Sequence, residues 1–234
     1  MSRTVTLPVA LVGIALAAIA GLAIGWALPR PGVPSSHVAA RDYAVAHPEI
    51  IAEAIDRLRI GSDRRAIETP FASAWAGNPR GDVTLVMFSD YNCPYCRASA
   101  TEIDRLLKED PKLKVVWREM PVLGPDSDAA ALAALAAAKQ GKYLAFHRAL
   151  FAGNHPDRNG IATAARSVGL AATRFAADTR AADVTAELTS NLSLARRMQI
   201  AATPFFVIGN RTYQGAIGYD GLVAAIAEAR KPAR

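Results

Sequence analysis

Apolar positions along the chain fall into one long uncharged run, several stretches with helical spacing, and a few short blocks of β-branched and aromatic residues between turn signals. The uncharged run covers residues 5–28, and as a helix it would extend about 36 Å, enough to cross a hydrocarbon layer. Residues 1–28 are therefore read as a signal anchor or signal peptide. The length favours an anchor, while Gly25-Trp26-Ala27 offers small residues at cleavage positions. Arg3 precedes the run and Arg30 and Arg41 follow it, so charge alone does not fix orientation. Residues 29–40 open with a Pro- and Gly-rich tether that breaks regular structure and are read as a linker. Ile51, Ile55 and Leu58 then recur at helical spacing, with Pro48 tolerable in a first turn, and predict an amphipathic helix within 41–60. Its apolar stripe either packs on the domain or meets the same helix of a second copy.

Beyond this helix the period changes. The cluster Gly77-Asn78-Pro79-Arg80-Gly81-Asp82 is dense in turn residues and leads into a strand over 83–88. A second strand is predicted over 113–118, far enough on for the crossover helix that parallel pairing needs, which makes one βαβ unit. Residues 127–200 are alanine-rich, with Leu132, Leu135, Tyr143, Phe146, Leu150, Val184, Leu188 and Leu192 at helical intervals. Interruptions are expected at Gly141, at 154–157 and at Gly169. Two short strands, 205–208 and 211–214, flank Gly209-Asn210 as a two-residue hairpin, and 220–231 reads as a closing helix. The fold class is α/β.

Composition narrows the chemistry. With 51% hydrophobic and 21% charged residues the chain describes a globular core, and the net charge of +6 is scattered, without a basic run that would mark a nucleic-acid surface. His37, His47, His147 and His155 do not combine with cysteine at zinc-finger spacing, so neither a structural metal nor a cofactor is expected. Cys93 and Cys96 are the only cysteines, two residues apart, and cannot staple distant parts of a core. Delivered by a strand and followed by a helix-compatible segment, they read as a dithiol/disulfide site. A different use of the same pair is soft-metal binding, with both thiolates on Cu(I). Thr203-Pro204 separates the two, because pairing with an extended substrate uses it and metal capture does not.

Asp90-Tyr91-Asn92-Cys93-Pro94-Tyr95-Cys96-Arg97, the helical middle, and Thr203-Pro204 before a strand together resemble the DsbA family over about 82–230. The resemblance implies a thioredoxin fold over 61–234 with a helical insertion at about 122–200. It implies Cys93 as an exposed nucleophile at a helix start, where the dipole favours a thiolate, and Cys96 as the resolving partner. Pro94 and Tyr95 complete the motif, and a cis peptide between Thr203 and Pro204 leaves the Thr203 backbone to pair with substrate. Tyr95 stands where the family's namesake has histidine, and Met87 where relatives commonly carry an acid, so another group or water must take that role. Asp90 is read as a local cap in preference to a proton carrier. Residues 42–55 are similar to the helical segment of ScsC-like members that assembles oligomers. The implied function is a periplasmic or otherwise extracytoplasmic thiol–disulfide oxidoreductase acting on exported proteins with thiols or disulfides. A membrane redox partner, no nucleic acid and a homo-oligomer through 41–60 go with it. Assembly would suit isomerisation and a monomer would suit oxidation.

Overall fold

The computed structural model describes residues 36–153 and 155–231. The uncharged run at 5–28, the tether at 29–35 and Asn154 lie outside the described residues, among which no helix is long and apolar enough to cross a membrane. The chain divides into two compact units at residues 51 and 52.

The first unit contains α1 (Ser36–Ala46) and the start of α2 (Pro48–Ile60). Two readings are corrected here. The helix begins within the segment read as linker, and the single helix expected within 41–60 is broken at His47. The physical reason is Pro48, which lacks an N–H and forces the residue before it away from helical geometry. Tyr43 stacks on His47 at the break, with ring centroids 4.4 Å apart.

The second unit is built on a five-stranded sheet in the order β1-β3-β2-β4-β5. Its strands are β1 (Trp75–Gly77), β2 (Val83–Ser89), β3 (Leu113–Glu119), β4 (Phe205–Ile208) and β5 (Arg211–Gln214). β2 and β3 are parallel, as the crossover required, and the other pairings are antiparallel. Strand side chains alternate between faces. Leu85, Met87, Val115, Trp117, Phe206 and Ile208 therefore enter one core with α4 (Pro94–Glu109) and α10 (Gly218–Ala229). Val86, Phe88, Val116, Phe205 and Val207 enter the opposite core with Ile60 of α2, Ile67 of α3 (Arg64–Glu68), Leu194 of α9 (Ala182–Arg197) and Met198 at the cap of α9.

Between β3 and β4 the chain forms α5 (Pro125–Lys139), α6 (Tyr143–Ala152), α7 (Arg158–Ser167), α8 (Ala172–Asp178) and α9. The alanines of α5 are buried on two sides: Ala130, Ala134 and Ala137 face the main core, while Ala131 and Leu135 meet Val184 and Leu188 of α9. Small side chains permit this double burial. Gly209 takes φ +59 in the hairpin turn, a conformation that L side chains rarely adopt.

On α2 the buried residues are Asp56 and Ile60, whereas Leu58 is 83% exposed and Ile51 and Ile55 are also exposed. Asp56 accepts a hydrogen bond from Thr212 and pairs with Arg211 at 3.2 Å, which ties the end of α2 to β5. The stripe predicted from spacing is thus not the face that packs on the sheet.

Candidate active site

β2 ends at Ser89, and a turn closed by Cys93 N–H donating to Asp90 O at 3.1 Å delivers Cys93 to the start of α4. Cys93 is the N-cap, with extended φ −82° and ψ 117°, as a residue before proline prefers. Pro94 follows at the first helical position, where its missing N–H and fixed φ fit. The Cys93 carbonyl accepts from Cys96 N and Arg97 N, both at 3.1 Å, so the pair is locked into one helical turn. Thr203, 110 residues away, closes the site: the Cys93 thiol donates to its carbonyl at 3.4 Å, and the Thr203–Pro204 peptide is cis, as the resemblance implies.

Cys93 is 5% exposed and Cys96 0%. Cys93 is therefore less open than the exposed nucleophile expected, because the Thr203 carbonyl and the preceding turn cover it, although it remains the outer cysteine. Burial pushes the Cys96 thiol well above its ordinary range, against a lowering backbone hydrogen bond from Asp90 and one from the Thr203 side chain. Tyr95, by contrast, is 65% exposed and projects from the first turn of α4. Among the described residues no group of three or more His, Cys, Asp and Glu side chains is arranged to hold a metal.

Asp90 is more than a local cap. Its Oδ1 accepts from Asn92 N at 2.8 Å and Ser127 Oγ at 2.7 Å, and its Oδ2 from Val122 N at 2.7 Å and Leu123 N at 3.0 Å. One buried carboxylate thus fastens the cysteine turn to the loop after β3 and to the first turn of α5. Val122 and Leu123 are exposed, as is Tyr95, so apolar side chains flank the cysteine turn.

A buried polar cluster lies on the cysteine-facing side of the sheet, and the sequence reading missed it. Glu119 ends β3, paired with Ser89, and its Oε1 accepts from Tyr143 at 2.6 Å and Tyr91 at 3.3 Å. The Tyr91 hydroxyl also bonds His147 Nδ1 at 3.0 Å. Burial pushes the Glu119 carboxyl up to about 8, opposed by the tyrosine hydrogen bonds and reinforced by the charge of Asp90. Burial likewise drives His147 down to about 3, with Arg148 adding to the shift, so its imidazole is neutral. The available signal was Arg118-Glu119 following the apolar run Val115-Val116-Trp117.

The family model for a DSBA-like thioredoxin domain matches residues 84–227. A thioredoxin-like oxidoreductase from Silicibacter pomeroyi DSS-3 superposes with a TM-score of 0.70 at 41% identity, covering 74% of this chain and 100% of that one. The thiol-disulfide exchange protein alpha-DsbA2 from Wolbachia pipientis gives 0.69 at 26% identity, covering 75% and 96%. Among curated proteins, the Na(+)/H(+) antiporter NhaA 3 of Salinispora tropica is 30% identical over 166 residues, which are 68% of this chain and 25% of the antiporter. The chain therefore spans about a quarter of the length of the curated relatives it matches. Because the family match runs from the strand that delivers the cysteines into the last helix, the chain belongs to the DSBA-like thioredoxin domain family.

Proposed function

We propose that the protein works outside the cytoplasmic membrane, held there by residues 5–28, and forms or rearranges disulfides in exported proteins through Cys93-Pro94-Tyr95-Cys96. The observation that carries this reading is the convergence of Cys93, at the start of α4, on the Thr203 carbonyl with Cys96 buried behind it. Cys93 attacks a substrate disulfide, or is attacked by a substrate thiolate when the pair is oxidised, and a mixed disulfide results. Cys96 resolves it or leaves from it. The Thr203 backbone pairs with the substrate chain, and exposed Tyr95, Val122 and Leu123 give an unfolded segment an apolar surface. A membrane redox partner resets the pair.

The test is Cys96→Ser in the full chain, followed by non-reducing separation of an extracytoplasmic extract. Reducible protein adducts on Cys93 are the expected result, and their absence refutes the reading.

The second element is self-association through residues 41–60, supported by the exposure of Tyr43, Val45, Ile51, Ile55 and Leu58 along α1 and α2. Removing residues 41–60 is expected to reduce the assembly to a monomer by sedimentation. A mass per particle unchanged apart from the deleted residues refutes the assembly.

A further inference from the structure

Away from the cysteines, α3 and the residues after it meet β3 around a cleft of about 650 Å³, lined by Arg64, Arg65, Glu68, Thr69, Pro70 and Lys114. Three cations and one carboxylate share it. Lys114 pairs with Thr84 near the start of β2, whereas the cysteine turn leaves the other end of that strand after Ser89. Lys114 also shares its sheet face with Val116 and Arg118, opposite the face of Met87 and Trp117. The cleft is thus separated from Cys93 both along the sheet and through it.

The four charges are not equivalent. Arg64 donates to Glu68 Oε1 at 2.8 Å, to the Gly209 carbonyl at 3.1 Å and to Asn210 Oδ1 at 2.6 Å. Its guanidinium is occupied by the fold, and the Glu68 charge is met by Arg64. Arg65 and Lys114, by contrast, form no ion pair and no side-chain hydrogen bond among the described residues, and the Thr69 hydroxyl has no partner among them. Lys114 is half-buried on β3, an interior strand between β1 and β2. Holding an ammonium there unpaired is unfavourable, and a bound anion offsets that cost. The walls are fixed before a ligand arrives: Arg64 fastens α3 to the turn between β4 and β5, and buried Arg118 holds the carbonyls of Ala66, Ile67 and Thr69. Such pre-ordering lowers the entropy cost of binding.

We propose that this cleft is an anion site that takes a phosphate group between Arg65 and Lys114, with the Thr69 hydroxyl as a further donor. Two uncommitted cations match a dianion, and a guanidinium can bind two phosphate oxygens at once while the ammonium acts as a point charge. Glu68 opposes an anion, but its pairing with Arg64 leaves the charges of Arg65 and Lys114 in excess. The cleft is roomier than a single phosphate ion, so an ester fits as well as the free ion. A phosphomonoester and the head group of a phospholipid offer this same chemistry. The site stands apart from the redox reading, since no residue lining it belongs to the cysteine site.

The test is calorimetric titration of the full chain, held in an uncharged detergent, at matched ionic strength and about pH 8, where a phosphomonoester is a dianion. Inorganic phosphate, glycerol phosphate and glycerophosphoglycerol are added in separate titrations. The first two are expected to bind saturably, with a dissociation constant on the order of 0.1–1 mM that weakens as salt is raised. Glycerophosphoglycerol, a singly charged diester that stands for a lipid head group, is expected to bind about tenfold more weakly. Lys114→Gln and Arg65→Gln are each expected to weaken phosphate by about tenfold or more and to leave disulfide exchange unchanged. Arg65 is exposed, so its variant serves if Lys114→Gln does not fold. A diester that binds as tightly as the dianions, and is lost in the same variants, supports the site and assigns its ligand to a lipid surface. No saturable binding of any of the three, or binding that either folded variant retains at wild-type strength, overturns the proposal.

Discussion

Arg118→Met is expected to lower the unfolding free energy by about 3–5 kcal/mol, the range for removing one partner of a buried ion pair. The guanidinium is buried on the sheet face opposite the cysteines, where it pairs with Glu187 at 2.7 Å and bonds Asn191 at 3.1 Å. It also donates to the carbonyls of Ala66 and Ile67 in the short helix α3 and of Thr69 just beyond it. A five-residue helix cannot stand alone, and this one has no side-chain cap at its start. Arg118 thus holds α3 to the sheet and to α9 at once. Methionine fills the volume but leaves Glu187 unpaired and the carbonyls without donors. Thermal unfolding should show a fall of about 6–20 °C. A fall of only a degree or two would mean that the hydrophobic contacts of Ile60 and Ile67 suffice to hold this end of the molecule.

The second large effect is expected at Asp90. Asp90→Asn preserves shape, yet the carboxylate accepts two hydrogen bonds on each oxygen. An amide turns one acceptor into a donor facing donors, so either the Asn92–Ser127 side or the Val122–Leu123 side is lost whichever way it is oriented. Val122 and Leu123 are exposed and their N–H groups can turn to water, which limits the loss to about 2–4 kcal/mol by urea titration. Exchange with a peptide disulfide should fall more than exchange with glutathione, because the freed loop carries the apolar side chains that a chain-like substrate meets. Equal losses for the two would deny the loop that role.

The contrast between these residues and the cysteines shows what sequence can reveal. Cys93 and Cys96 announce themselves by spacing, Thr203-Pro204 by its position before a strand, and Gly209-Asn210 by turn chemistry, all of which are local. β2 and β3 were legible because their apolar period and separation admit only a parallel crossover. β1 was not, since a three-residue strand exists only through its pairing with β3, Trp75 opposite Val116. The break at His47 was a local effect of Pro48 that helical spacing on both sides concealed. The partners of Asp90 arrive from up to 37 residues away, and those of Glu119 from two further elements. Periodicity marks such positions as buried but does not say what they touch. Met87 illustrates the same limit: a buried acid, Glu119, stands on the neighbouring strand, one alternation nearer the cysteines, and nothing local to Met87 points to it.

In the proposed function Cys93 and Cys96 act as one redox pair, with Cys93 outermost. The most direct measurement of this pairing uses the purified full chain and a single model peptide disulfide, quenched in acid and mapped by mass in the wild type and in Cys96→Ser. The expected result is a mixed disulfide on Cys93 that persists in the serine variant. In the wild type it should decay with release of the second peptide thiol and formation of a Cys93–Cys96 bond. Peptide attached to Cys96 in preference to Cys93, or no adduct in the serine variant, would contradict it.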